Sequence, residues 1–456
     1  MTKRYLLAVV LVLGALMGEL GMAAEARQSS YRGWRTLELR NGLVDLQVVP
    51  DIGGRIVQLT LDGFEYLWVN EQLAGKLPPP NGLGPDGSWL NYGGSKLWPA
   101  PQGWDRDDRW PGPPDAILDG SPHSGASTDE NVRWAGVKLV SQKDPRTGIQ
   151  FTRRIKVCDD AARVSIDCEM KNIDTKNRRW GIWQVSQHTM ANRSGEGFDK
   201  NIRVYIPVNP KSAHAQGYTV LFGRKDNPEF QADGKMMRVH YEHHVGKLAM
   251  DCSAGWLALV NGTAGCVFVE RFTWEPGKPY PDDASVEIWT QGKGSIVAWG
   301  KETPMSDNVA ENPYVLETEL LSPFAELKPG ETSAFHVDWY AARIGGDYPV
   351  LDATDTGVTC EAFKAVVAGG KLSLNGRFGV FYKGEAAVVF LDGQDKEIAQ
   401  GRKTVEVSPK EPLVLHKAKE LADGVKVPPN AAKVCLVILD KSGTRLGTLA
   451  TAAIEK

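Results

Sequence analysis

Val286-Glu287-Ile288-Trp289-Thr290-Gln291 alternates with a period of two, so Val286 and Ile288 take one face of a strand while Glu287, Trp289 and Gln291 take the other. The run Tyr314 to Leu321 likewise parts Leu316 and Leu320 from Glu317 and Glu319. In Trp180 to His188, Trp183 and Gln187 share one face, and Gln184 and His188 share the other. Other strand-like runs are Val44 to Val49, Ile56 to Leu61, Val137 to Val140, Ile149 to Val157, Arg163 to Met170, Trp256 to Val260, Cys266 to Phe272 and Thr332 to Tyr340. No stretch sustains helical periodicity. One strand type throughout residues 30–343 predicts a single large antiparallel β-sandwich.

Residues 71–131 interrupt this pattern with Pro78 to Pro80, Pro111, Pro113, Pro114 and many glycines. Such an excursion is functional or disordered, and its Trp89, Trp98, Trp104 and Trp110 argue for order. All 14 Trp lie between Trp34 and Trp339. The tryptophan-free remainder marks a second unit after a linker at Ile344 to Thr359. Short runs from Lys371 to Leu439, punctuated by Asn375-Gly376 and Asp392-Gly393, predict a small β-sandwich over residues 360–456.

Charge and composition exclude several roles. With 53 Lys and Arg against 56 Asp and Glu, the net charge is -3, and no basic field exists to hold nucleic acid. Lys3 and Arg4, the apolar run Tyr5 to Met17 and small residues up to Ala26 read as a signal peptide over residues 1–26. The expected product is exported, periplasmic or secreted, with no stable membrane span; an uncleaved anchor is the other reading. Cys158, Cys168, Cys252, Cys266, Cys360 and Cys435 suit either disulfides in an oxidising compartment or buried thiols, and lack zinc-finger spacing. No GxSxG elbow, P-loop, HExxH or dinucleotide fingerprint is present. No metal site is expected: the cluster His240, Glu242, His243 and His244 lacks a second ligand group, and Asp105, Asp107, Asp108, Asp115 and Asp119 read as a solvated loop.

Several strings, in order, carry a resemblance. Val49-Pro50-Asp51-Ile52-Gly53-Gly54-Arg55-Ile56 with Gly63-Phe64-Glu65-Tyr66-Leu67 resembles the opening hairpin of aldose 1-epimerase-like proteins. Gly93-Gly94-Ser95-Lys96-Leu97-Trp98, Trp183-Gln184-Val185-Ser186-Gln187, Gly246-Lys247-Leu248 and Leu316-Glu317-Thr318-Glu319 follow in the order of a bacterial family of unknown function with a galactose mutarotase-like fold. The match spans roughly residues 35–343.

The resemblance implies a β-supersandwich that binds a carbohydrate and uses no cofactor. Glu317 matches the base that takes the anomeric proton; a histidine acid is expected near His188, and Tyr92 stands where the family has His-Gly-Gly. The expected sugar contacts are Arg55, Tyr92, Lys96, Trp98, Trp183, Gln187, Lys247, Glu287 and Trp289, with the cations meeting hydroxyls or a uronate carboxylate. Three readings stand: an aldose epimerase acting by Glu-assisted ring opening, a non-catalytic sugar-binding protein, and an accessory domain of a polysaccharide lyase or hydrolase system.

Overall fold

The computed structural model describes residues 23–131, 133–298 and 300–456. Most of the expected signal segment therefore lies outside the described residues. Glu25–Tyr31 is already a strand, paired with Trp34–Arg40. The chain is all-β. Two antiparallel sheets pack face to face around one large core, and a separate C-terminal sheet follows.

The first sheet has 12 strands among the described residues. From Arg55–Leu61 it runs through Ser95–Ala100, Arg178–Thr189, Val315–Leu321, Val286–Thr290 and Gly246–Met250 to the edge strand Thr219–Gly223. The second has 10 strands, centred on Cys266–Phe272, Thr332–Arg343 and Arg163–Asn172. Leu46, Ile56 and Ile182 of the first sheet pack with Ile155, Ile166, Phe268 and Trp339 of the second.

This core also contains a polar network. Arg153 Nη2 donates to Ser95 Oγ at 2.9 Å and to Gln184 Oε1 at 3.3 Å, while Gln184 Nε2 and Ser186 Oγ donate to Glu270 Oε1. Buried polar groups persist when they are bonded in this way.

The 71–131 excursion is ordered, as its tryptophans argue, but it is less irregular than its composition suggests. Ser95–Ala100 is a full sheet strand and Ser124–Asn131 an edge strand of the second sheet. Every residue of Ser95–Ala100 is buried, so the strand shows no alternation. It enters through Gly93 and Gly94, at φ +89° and +72°, where a Cβ would sit 2.3 Å from Trp68 O and Ile56 O respectively. Only glycine admits that crossing.

The C-terminal sheet has eight strands, and its halves meet in parallel pairing of Gly357–Ala368 with Arg445–Glu455. Both halves share one core containing Leu374, Phe378, Val388, Phe390 and Leu436. Asn375-Gly376 is not a turn: it lies inside Lys371–Val380, opposite a register shift in Gly357–Ala368. Part of the expected linker also joins this sheet, since Asp352–Ala353 pairs with Thr359 and Val358.

The two units are tightly joined. The outer face of the second sheet is apolar, with Tyr205, Trp256, Val267 and Tyr340 packing under Val358, Cys360 and Phe381. Phe381 stacks on Tyr340 at 4.5 Å between ring centroids. All six cysteines are buried free thiols, which decides between the two sequence readings. Among the described residues, no helix is long and apolar enough to cross a membrane. Removing the joint should be costly: Phe381→Ala should destabilise the protein by about 3–5 kcal/mol, measured by urea unfolding. A loss under about 1 kcal/mol would show that the C-terminal unit does not support the large domain.

Candidate functional site

Directly opposed residues in an antiparallel pair share a face. Register therefore builds the outer floor of the first sheet in rows. One row runs Gln187, Glu317, Trp289, Lys247, Phe222. The next runs Lys96, Val185, Glu319, Glu287, Ala249. A third begins Trp98, Trp183.

These rows floor a cleft of about 660 Å³ walled by Trp68, Trp89, Trp98 and Trp289. A second chamber of about 240 Å³, with Arg109, Glu287 and Val297 in its walls, shares Gln102, Trp183, Phe222 and Lys247 with the cleft.

The floor is a lattice of ion pairs. Lys96 Nζ donates to Glu317 Oε1 at 3.1 Å, and Gln187 Nε2 donates to the same oxygen at 2.7 Å. Lys247 Nζ lies 2.7 Å from Glu287 Oε2 and 2.9 Å from Glu319 Oε2, with Trp183 Nε1 also donating to Glu319 Oε2 at 2.7 Å. The lysines sit over indoles as well: Lys96 is 4.7 Å from the Trp98 ring and Lys247 4.4 Å from that of Trp183.

Burial opposes the Lys247 charge, but its two carboxylate neighbours overcome that and raise its pKa. Two carboxyls share this single ammonium. Burial first, against the pull of Lys247 and with repulsion from Glu319, pushes Glu287 up to about 8. Gln187 Oε1, Glu319 Oε1 and Glu287 Oε1 are buried without a protein partner, so the floor holds polar oxygens whose hydrogen bonds are unmade.

The excursion walls this floor through one clamp. Arg55, fully buried, pairs with Asp119, whose carboxylate also accepts from Trp89 Nε1 at 2.7 Å and Trp98 Nε1 at 3.1 Å. Gly53, at φ +76°, lets this segment approach: a Cβ there would lie 2.2 Å from Asp119 O. Asp119 is therefore not part of a solvated loop, and neither is Asp115, which accepts from Trp110 Nε1 at 2.8 Å.

Of the expected contacts, Trp98, Trp183, Gln187, Lys247, Trp289 and Glu317 line the cleft and Glu287 lines the inner chamber. Four expectations need correction. Arg55 lies behind the wall and positions Asp119. Tyr92 is buried in a side core with Trp34, Ile52 and Val57. Lys96 stands behind Glu317.

His188, next to cleft-facing Gln187, necessarily points into the core, where its ring packs 5.1 Å from Phe268. Tyr66 O at 2.9 Å can only accept, so Nδ1 carries the proton and Nε2 accepts from the Thr318 hydroxyl at 3.0 Å. Burial pushes its pKa down to about 4. It cannot serve as acid to a sugar on the opposite face. Nor are the three expected cations free for a uronate, because Arg55, Lys96 and Lys247 are each already paired with carboxylates.

Phe222 was not legible from alternation. A register shift between Val220, opposite Leu248, and Phe222, opposite Lys247, turns its ring onto the cleft face. Trp68 and Gln102 come from irregular chain without a period. The histidine cluster disperses: His243 bonds Asn312 O, His240 accepts from Arg203, and the backbone N–H groups of Glu242 and His244 go to Glu229. No three metal-ligating side chains converge among the described residues.

The buried carboxyls predict a pH signature. Burial raises Glu287 to about 8 and Glu270 and Glu229 to about 7, so the folded state holds protons that the unfolded chain has released. Their contribution falls as pH rises from 4.5 through 8. Buried His188 and His123, lowered to about 4 and about 3, act oppositely, but only below 6.5. Stability should therefore decline between pH 6.5 and 8, with at most about 1.4 kcal/mol per pH unit from each group. Thermal unfolding of Glu287→Gln should show a shallower slope; an unchanged slope would assign the decline elsewhere.

Residues 35–341 match the model of a domain of unknown function, DUF4380. No curated protein sequence matches the chain. Similar solved structures include a galactose mutarotase-like protein from Lactobacillus casei, 12% identical with a TM-score of 0.43, covering 67% of this chain and 99% of that one. Another galactose mutarotase-like protein, from Clostridium acetobutylicum, is 10% identical with a TM-score of 0.42 over 70% of this chain and 99% of that one. A TPR-domain containing protein from Parabacteroides distasonis is 13% identical with a TM-score of 0.47; 74% of this chain covers 56% of that protein's length. The family model spans well over half of the residues, and the chain belongs to the DUF4380 family.

Proposed function

We propose that the cleft binds a carbohydrate by stacking it on indole faces and bonding its hydroxyls to the polar floor. The observation that carries this reading is the meeting of aromatic walls with unpartnered polar oxygens at Glu319 and Gln187 in one cleft. Hydroxyl groups can make the hydrogen bonds that such a floor lacks, and flat indoles suit the apolar faces of pyranose rings. The occupied cations favour neutral sugars over uronates. Export, as expected from the N-terminal segment, would bring the cleft to sugars outside the cytoplasm.

Catalysis is the finer reading, favoured by Glu317. Its carboxylate faces the cleft, oriented by Lys96 and Gln187, as a base for an anomeric hydroxyl should be. A non-catalytic binding protein is the alternative that the same experiment separates.

A neutral sugar that binds must raise the melting temperature of the protein. Trp289→Ala should weaken its affinity roughly tenfold, an energetic loss of about 1.4 kcal/mol. Unchanged affinity would move the site elsewhere. Glu317→Gln should bind the sugar but lose acceleration of anomer exchange followed by NMR. Lys96, already held low by burial, would then shed its proton rather than remain a lone buried charge. Binding with no exchange in the unaltered protein would leave a binding protein only, and the absence of any sugar-induced shift would reject the carbohydrate reading.

A further inference from the structure

Ring opening needs an acid as well as a base, and no histidine lines the cleft or the inner chamber. The remaining carboxyls do. Glu287 and Glu319 are directly opposed across neighbouring strands, on one face, with side-chain exposures of 2% and 0%. Like carboxyls at such cross-strand spacing cannot both ionise without cost, and one ammonium balances only one of them. Lys247 takes one oxygen from each, so Oε1 of each is left without a protein partner, Glu319 lining the cleft and Glu287 the inner chamber. Glu319 stands two residues from Glu317 on the same strand face, about 7 Å along the strand.

Resting on the sugar-binding reading, we propose that the Glu287–Glu319 pair, bridged by Lys247, is the proton donor of this site, with Glu319 presenting the proton to the ring oxygen of an aldose whose anomeric hydroxyl lies on Glu317. As Glu317 takes the hydroxyl proton, the O–H electron pair forms the C1 carbonyl and the bond from C1 to the ring oxygen breaks. The released pair on the ring oxygen takes the proton from Glu319. Rotation about C1–C2 presents the other carbonyl face, and the same transfers in reverse close the opposite anomer. The two protons exchanged between sugar and protein balance over the cycle, and no oxidant or metal enters it.

The charged groups around the pair are Lys247 on Gly246–Met250, Glu317 on the same strand as Glu319, Asp282 in the Pro281–Asp283 turn, Arg109 on the excursion, and Lys96 behind Glu317. Burial first, against the pull of Lys247 and with repulsion from Glu319 and Asp282, raises Glu287 to about 8, and burial raises Glu319 as well, so the pair holds a proton at neutral pH.

The test is the pH dependence of anomer exchange by NMR, from pH 6 to pH 9, using a sugar that raises the melting temperature. The rate should fall as pH passes about 8. In Glu287→Gln, Glu319 alone faces Lys247 and gives up its proton at lower pH. That variant should lose about 100-fold in rate at neutral pH, with the alkaline limb moved down and the sugar-induced thermal shift retained. A purely structural role would lower stability without moving the limb.

An unchanged rate and limb in Glu287→Gln, or a sugar-induced shift without exchange at any pH in the unaltered protein, overturns the proposal and leaves sugar binding standing. No shift with any sugar overturns both. Glu319→Gln is the second variant, with the same expected loss. Should neither variant fold, the absence of an alkaline limb in the unaltered protein is itself contrary evidence.

Discussion

The pairing of Arg178–Thr189, Val315–Leu321 and Val286–Thr290 is the constraint on which the cleft depends. In antiparallel register a slip of one residue exchanges the two faces of a strand. A slip in Val315–Leu321 would drive Glu317 and Glu319 into the apolar core and set Leu316 and Leu320 in the cleft. The apolar partners of Leu316 and Leu320 in that core hold the register, so the packing between the sheets indirectly places Glu317 and Glu319 outside them.

The floor is costly for the protein to maintain. Glu287, Glu319 and Lys247 are all buried, and taking charges from water is unfavourable unless they are closely paired. Three ionisable groups where apolar side chains would pack more stably are a common mark of a working site. The walls depend on a second buried pair, Arg55 with Asp119, which ties two indoles of the excursion to the sheet. Sheet and excursion thus contribute different parts: charges on a rigid floor, and flat rings held above it.

Much of this was legible in the sequence where a period existed. Alternation in Val286–Thr290 and Val315–Leu321 separated cleft from core, and it also placed His188 opposite Gln187. There the residue pattern was a better guide than the resemblance, which implied a catalytic histidine near that strand. What stayed hidden depended on distant chain segments or irregular backbone. Nothing local tells that Arg55 meets Asp119, that Lys247 bridges two acids, or that a bulge turns Phe222 around. Tyr92 follows the same rule, since its neighbours Trp34 and Val57 come from other strands.

The most direct test of the account is a crystal structure of the protein with a neutral sugar that stabilises it. The ring should lie on the floor beside Trp289, with a hydroxyl donating to Gln187 Oε1, the anomeric hydroxyl on Glu317 and the ring oxygen facing Glu319 Oε1. A sugar bound away from this face, or one that leaves those oxygens untouched, would contradict the assignment of the cleft.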